Sequence, residues 1–145
     1  MKSYTNLEQS KKLAEILSGD SADMCWGICN ETLKYKTMPY LLPWRGYTAK
    51  EHYLPCWSLA ALLNIMPKHI KQNDGRTYKF HIFNDDGIVI QRWGCSYVAK
   101  DYHNRAEYLS DPNLKYPTNI YGGTYEDILD ACYEMILKLH EQKLL

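Results

Sequence analysis

Two alternating stretches separated by a turn constrain this chain most. Tyr78, Phe80 and Ile82 alternate with Lys79, His81 and Phe83, Asn84, Asp85, Asp86 and Gly87 follow, and Ile88 to Trp93 resumes the extended pattern. A period of two sends successive side chains to opposite faces, and Asn, Asp and Gly adopt the backbone conformations of a tight reversal. The segment therefore predicts an antiparallel hairpin, with Gly94 at a bulge and Cys95 to Val98 prolonging the second strand.

Helical spacing flanks the hairpin. Leu7, Leu13, Ala14, Ile16 and Leu17 form an apolar stripe over 6–18, Thr5 and Glu8 stand at capping-box spacing, and Gly19 suits a left-handed stop. Trp57, Leu59–Leu63, Ile65 and Met66 are nearly continuously apolar, with Pro55 and Ser58 marking a helix start and Pro67 its end. Such a helix is expected to be buried on most sides. A third helix is predicted over 125–142, capped by Thr124, with Ile128, Ala131, Cys132, Met135, Ile136 and Leu139 on its buried side. Met24, Trp26 and Ile28 read as a short strand, and 32–38 as a second. Residues 39–55 read as an irregular loop. No period is legible over 100–123, where a short helix near 104–109 or a binding loop is expected. The expected fold is a single α+β domain over 1–145, an antiparallel sheet of four to five strands with three helices.

Charge sharpens the picture. The 145 residues carry 17 basic and 17 acidic side chains, so an extended nucleic-acid surface or an anionic-membrane surface is not expected. The charge is nonetheless uneven: residues 34–83 hold eight bases and two acids. Thirteen tyrosines against two phenylalanines point to aromatic groups with a wet end, at a surface or interface. No apolar run is long enough to span a membrane and the first dozen residues lack a signal-peptide core, so a cytoplasmic protein is expected. The five cysteines are then expected to be reduced.

Three blocks carry a resemblance: LEQSKKLAEILSGDSADM, with Ser21–Ala22–Asp23–Met24 at its end; LPCWSLAALLNIMP, in which Pro55–Leu59 lead into a helix; and DACYEMILKLHEQKLL. They resemble, in order, blocks of a group of small proteins of Bacteroides-type gut bacteria and their phages or mobile elements. The resemblance covers roughly a third of the chain. It implies a shared origin and fold and assigns no catalytic residue, because the group has no established activity.

The candidates for chemistry are few. Cys56 before a helix, with His52 four residues upstream, could form a nucleophile–base pair; the plain reading is a buried structural cysteine. Cys25 and Cys29 lack zinc-knuckle spacing and a second ligand pair, and CWGIC has one residue too many for a thioredoxin-type motif. Asp85 and Asp86 read as a turn rather than a carboxylate pair. Gly122–Gly123 before a helix suggest a phosphate cradle, which Glu126 and Asp127 would repel. No cofactor and no metal are expected.

Binding is the stronger expectation. Tyr40, Trp44, Arg45, Tyr47, Lys50, His52 and Tyr53 lie within fifteen residues of the basic segment. Tyr, Trp and Arg dominate interface energetics, and the same groups stack on bases and hold phosphate. The leading expectation is a non-enzymatic binding protein, a phage or mobile-element accessory, that meets a protein partner or a second copy of itself. The alternatives are a nucleotide-sequestering protein, with a small anionic ligand, and a Cys–His hydrolase. A competing structural account makes Trp44 and Tyr53 plugs at the edge of the core.

Overall fold

A computed structural model describes residues 2–29, 34–41, 53–71, 75–86, 91–99 and 120–145. The fold is α+β. The described residues form three helices and two four-stranded antiparallel sheets, within two compact units, Met1–Ile65 and Met66–Leu145. The strands thus divide between two sheets where the sequence suggested one.

The first unit is built around one strand. β1 (Met24–Cys29) pairs on one edge with β4 (Tyr53–Cys56), in the register Met24↔Cys56 to Gly27↔Tyr53. It also pairs with two short strands, β2 (Lys34–Tyr35) and β3 (Tyr40–Leu41). The register moves by two residues between them, from Ile28↔Tyr35 to Cys25↔Tyr40; Lys36 N still donates to the Gly27 carbonyl, and the ladder is interrupted over 37–39, where Pro39 has no N–H to donate. The expected strand over 32–38 is thus described only at 34–35. Both ends of the expected loop over 39–55 are strands, because Tyr40 and Tyr53 have β1 to pair with.

α1 (Leu7–Ile16) starts one residue later than the Thr5–Glu8 pattern implied. Asn6 is the cap, and its side chain and that of Gln9 exchange hydrogen bonds with each other's backbone. Thr5 is used elsewhere: fully buried, its Oγ1 accepts from Trp57 N at 3.1 Å and lies 2.8 Å from Ser10 Oγ. Ser10 Oγ in turn accepts from Trp26 Nε1 at 3.0 Å. The helix ends at Leu17 in extended conformation, and Gly19 opens a separate 3-10 turn, Gly19–Ser21, instead of supplying a left-handed stop. We expect Asn6→Ala to cost about 1 kcal/mol in a urea titration, since both capping bonds are exposed and local.

α2 (Leu59–Ile65) is shorter and less enclosed than expected. Ser58 caps it by accepting from Ala61 N, and Pro55 and Cys56 belong to β4. Ala61, Leu62 and, just beyond, Met66 are buried, whereas Ala60 and Asn64 are exposed. Two of the quoted sequence blocks meet here. The Asp23 carboxylate accepts from both the backbone N–H and the hydroxyl of Ser58, and Ser21 Oγ accepts from Trp57 Nε1 at 3.0 Å.

In the second unit the strand order is β5 (His69–Lys71), β6 (Thr77–Asp86), β7 (Gln91–Ala99) and β8 (Ile120–Tyr125). The predicted hairpin is β6–β7, but it reaches further than the sequence indicated. Asn84, Asp85 and Asp86 stand in the ladder opposite Trp93, Arg92 and Gln91, so these positions belong to a strand and not to the turn. Gly122 and Gly123 belong to β8, and Thr124 is a strand residue, so neither a phosphate cradle nor the expected cap forms. The cap of α3 (Ile128–Glu141) is Asp127, whose carboxylate accepts from Leu129 N at 2.9 Å. The predicted stripe of α3, with Leu129 added, is buried. α3 covers one face of the sheet: Cys132 Sγ lies 3.7 Å from Cys95 Sγ, and Met135 packs at Gly122. The proposed helix near 104–109 lies outside the described residues.

Candidate binding surface

Of the seven residues proposed from the sequence, Tyr40 and Tyr53 are described; Trp44, Arg45, Tyr47, Lys50 and His52 lie outside the described residues. The two tyrosines come together although twelve residues intervene. Tyr40 pairs with Cys25 on one edge of β1, and Tyr53 pairs with Gly27 on the other. Alternation puts Cys25 and Gly27 on the same face, so both rings lie over the same strand. Their centroids are 6.1 Å apart at 84°, the edge-to-face arrangement that ring quadrupoles favour.

Gly27 makes this possible. A Cβ built there would stand 2.9 Å from both Cε1 and Oη of Tyr40. Lys36 completes the cluster, its Nζ 5.5 Å from the Tyr40 ring centroid in a cation–π contact. The sequence reading missed Lys36, Cys25 and Gly27. A glycine inside the alternating run Met24–Cys29 is the signal that could have pointed to them, because it marks close approach of another group to a strand.

Tyr40 and Cys25 are both held toward their neutral forms. Burial, then hydrogen bonds with Cys25 and Tyr53, push the Tyr40 phenol above its ordinary value. Burial also raises the Cys25 thiol, offset in part by the Tyr40 hydrogen bond and the nearby Lys36 charge. The described cluster thus brings together two tyrosine rings, the Cys25 thiol and the exposed Lys36 side chain. Aromatic faces, hydroxyl donors and a cation suit recognition of a partner group.

Cys56 does not have the environment that a helix N-terminus would give it. It is the last residue of β4, fully buried, and its thiol donates to the Thr5 carbonyl at 3.5 Å. Burial pushes this thiol up, opposite to the lowering that an activated nucleophile needs. Cys25, Cys56, Cys95 and Cys132 are free thiols, and Cys132 is kept protonated by its hydrogen bond to Cys95 and by burial. Among the described residues no group of His, Cys, Asp and Glu could hold a metal ion. No described helix is long and apolar enough to cross a membrane.

The first unit also carries an open hollow of about 550 Å³ between Asp20–Asp23 and one side of α2, at Ala60, Ala61, Asn64 and Ile65. Its Asp23 and Ser21 side chains are already engaged by Ser58 and Trp57. Comparison of the chain with protein-family models, with curated proteins and with solved structures finds no match.

Proposed function

We propose that this is a non-enzymatic binding protein whose recognition surface centres on Tyr40, Tyr53 and Lys36 and continues into the Trp44, Arg45, Tyr47, Lys50 and His52 segment between the two tyrosines. The observation that carries the reading is the convergence of Tyr40 and Tyr53 over Gly27, which plants both ends of that segment on a single strand. The partner is a protein or a second copy of this chain, met inside the cytoplasm, as an accessory of a phage or mobile element would be.

The Lys36 contact favours one further reading. An ammonium beside an aromatic face also suits a nucleotide, with base against ring and phosphate against cation. The burial of Cys56 weighs against the hydrolase reading.

The test combines sedimentation equilibrium, for self-association, with affinity capture from host lysate, and repeats both on the Lys36→Glu, Tyr40→Leu double variant. Residues at the centre of an interface cost about 2 kcal/mol or more when lost, so complex formation should weaken about 30-fold or more. Binding unchanged in a stably folded double variant would remove this surface from consideration. Thermal shifts with nucleotides but not with neutral sugars would move the assignment to the nucleotide reading.

A further inference from the structure

The face of the second sheet opposite α3 carries an aromatic stack amid a row of cations. Cys95 and Gly122 mark the helix-covered face through Cys132 and Met135. Register then assigns the other face. Phe83 pairs with Gly94, His81 with Ser96, Lys79 with His69 and Lys71 with Thr77, while Ser96 pairs with Tyr121 and Gly94 with Thr124. Arg92 shares this face by alternation with Gly94.

A bulge produces the aromatic pair. Between Gly94↔Thr124 and Ser96↔Tyr121 the register shifts by one, so two residues of β8, Gly122 and Gly123, stand opposite Cys95 alone. Gly123 has φ +102°, which a residue with a side chain rarely adopts. In regular alternation Tyr121 and Thr124, three residues apart, would point to opposite faces; the bulge brings both to one face. With it, Tyr121 turns outward and lies nearly parallel to Phe83, centroids 6.0 Å apart at 13°. Phe83 itself lies over Gly94, where a Cβ would collide with its Cζ. Lys138 Nζ holds the strand by donating to the Tyr121 carbonyl at 2.6 Å.

The surroundings are charged and open. Lys71, Lys79 and Arg92 and the imidazoles of His69 and His81 are exposed, and Tyr121 is 47% exposed. The one acidic position that register adds to this face, among the described residues, is Asp85 opposite Arg92. Along β6, His81 and Lys79 follow Phe83 at intervals of about 7 Å, two residues of a strand each. A row of this kind matches successive backbone phosphates better than one compact anion, and a flat face offers a lone nucleotide no enclosure.

We infer that this face binds a short segment of single-stranded nucleic acid, bases on the Phe83–Tyr121 stack and phosphates along Lys79, His81 and Arg92. The chain's zero net charge is compatible with this, because the basic groups are local to the face. The inference does not rest on the Tyr40–Tyr53 surface.

Fluorescence anisotropy with a labelled oligothymidylate of about ten nucleotides tests it. The wild type should bind at low salt, and Tyr121→Ala should weaken binding about 5- to 150-fold, as the loss of one stacked base would. Tyr121→Phe should keep the affinity, and thermal melting should show all variants folded, since the ring is half exposed. Lys79→Gln with Arg92→Gln should lower the slope of log K against log salt by about 1.4, two phosphate contacts' worth. An abasic oligomer and a duplex of equal length should both bind more weakly. Absence of binding at low salt, equal binding of the abasic oligomer or duplex, or unchanged affinity in Tyr121→Ala would each overturn the inference. Thymidine monophosphate bound as tightly as the oligomer would mean a single-nucleotide site and would overturn it too.

Discussion

Trp57→Ala should destabilise the protein by about 3–5 kcal/mol, a drop in melting temperature of roughly 10 °C. Trp57 is fully buried, its backbone N–H donates to Thr5 Oγ1 and its indole N–H donates to Ser21 Oγ. Truncation removes the largest fully buried side chain among the described residues and leaves the Ser21 hydroxyl without its donor. Ser21→Ala removes that acceptor together with the hydroxyl's own bond to the Ser18 carbonyl, and should cost about 1–3 kcal/mol. A loss below about 1 kcal/mol for Trp57→Ala would show that the indole is not packed as described.

Tyr97→Ala should be of similar size in the second unit, about 3–5 kcal/mol by urea titration. The ring is fully buried against Phe80, centroids 5.3 Å apart, and its hydroxyl donates to the Pro67 carbonyl at 2.7 Å. The same hydroxyl gives an alkaline signature. Burial, with a smaller effect of Cys95, raises it above its ordinary value of 10.0. The unfolded chain therefore releases this proton first as pH rises, and binds fewer protons than the folded state above pH 10. Stability is full below that value and falls as pH climbs through it. Burial of Cys56 acts in the same sense from its ordinary value of 9.0. Tyr97→Phe should cost about 1–3 kcal/mol at neutral pH, by leaving the Pro67 carbonyl unpaired, and should make the alkaline decline shallower. An alkaline limb as steep in Tyr97→Phe as in the wild type would refute the assignment.

What was legible in the sequence was periodic. The stripe of α3 and the alternation of β6 each repeat over several turns or pairs, so local pattern and tertiary burial agree. The shorter elements carry too few residues to show a period. β2 and β3 have two residues each and exist because β1 offers them an edge. Thr5 has the chemistry of a cap, but it is drawn into the buried cluster with Ser10 and Trp57, and Asn6 takes the local role. Gly122 and Gly123 read as punctuation because a bulge and a turn use the same residue for the same freedom of φ. For the surface, the sequence pointed to Tyr40 and Tyr53 by density of aromatic residues. It could not show that Gly27 and Lys36 join them, since that depends on pairing across β1. The Phe83–Tyr121 stack was hidden for the same reason, behind a register shift that inverts the expected alternation.

The three-way pairing of β1 has a consequence for how this protein can change. The eleven residues between Leu41 and Tyr53 leave from one edge of a strand and return to the other, and the ladders, not the segment itself, fix both anchor points. The register of β1, β3 and β4 rests on backbone pairing within residues 24–27, 40–41 and 53–56, so substitutions elsewhere leave those partners in place. On the proposed function, selection can then alter what the surface recognises separately from the register that anchors it.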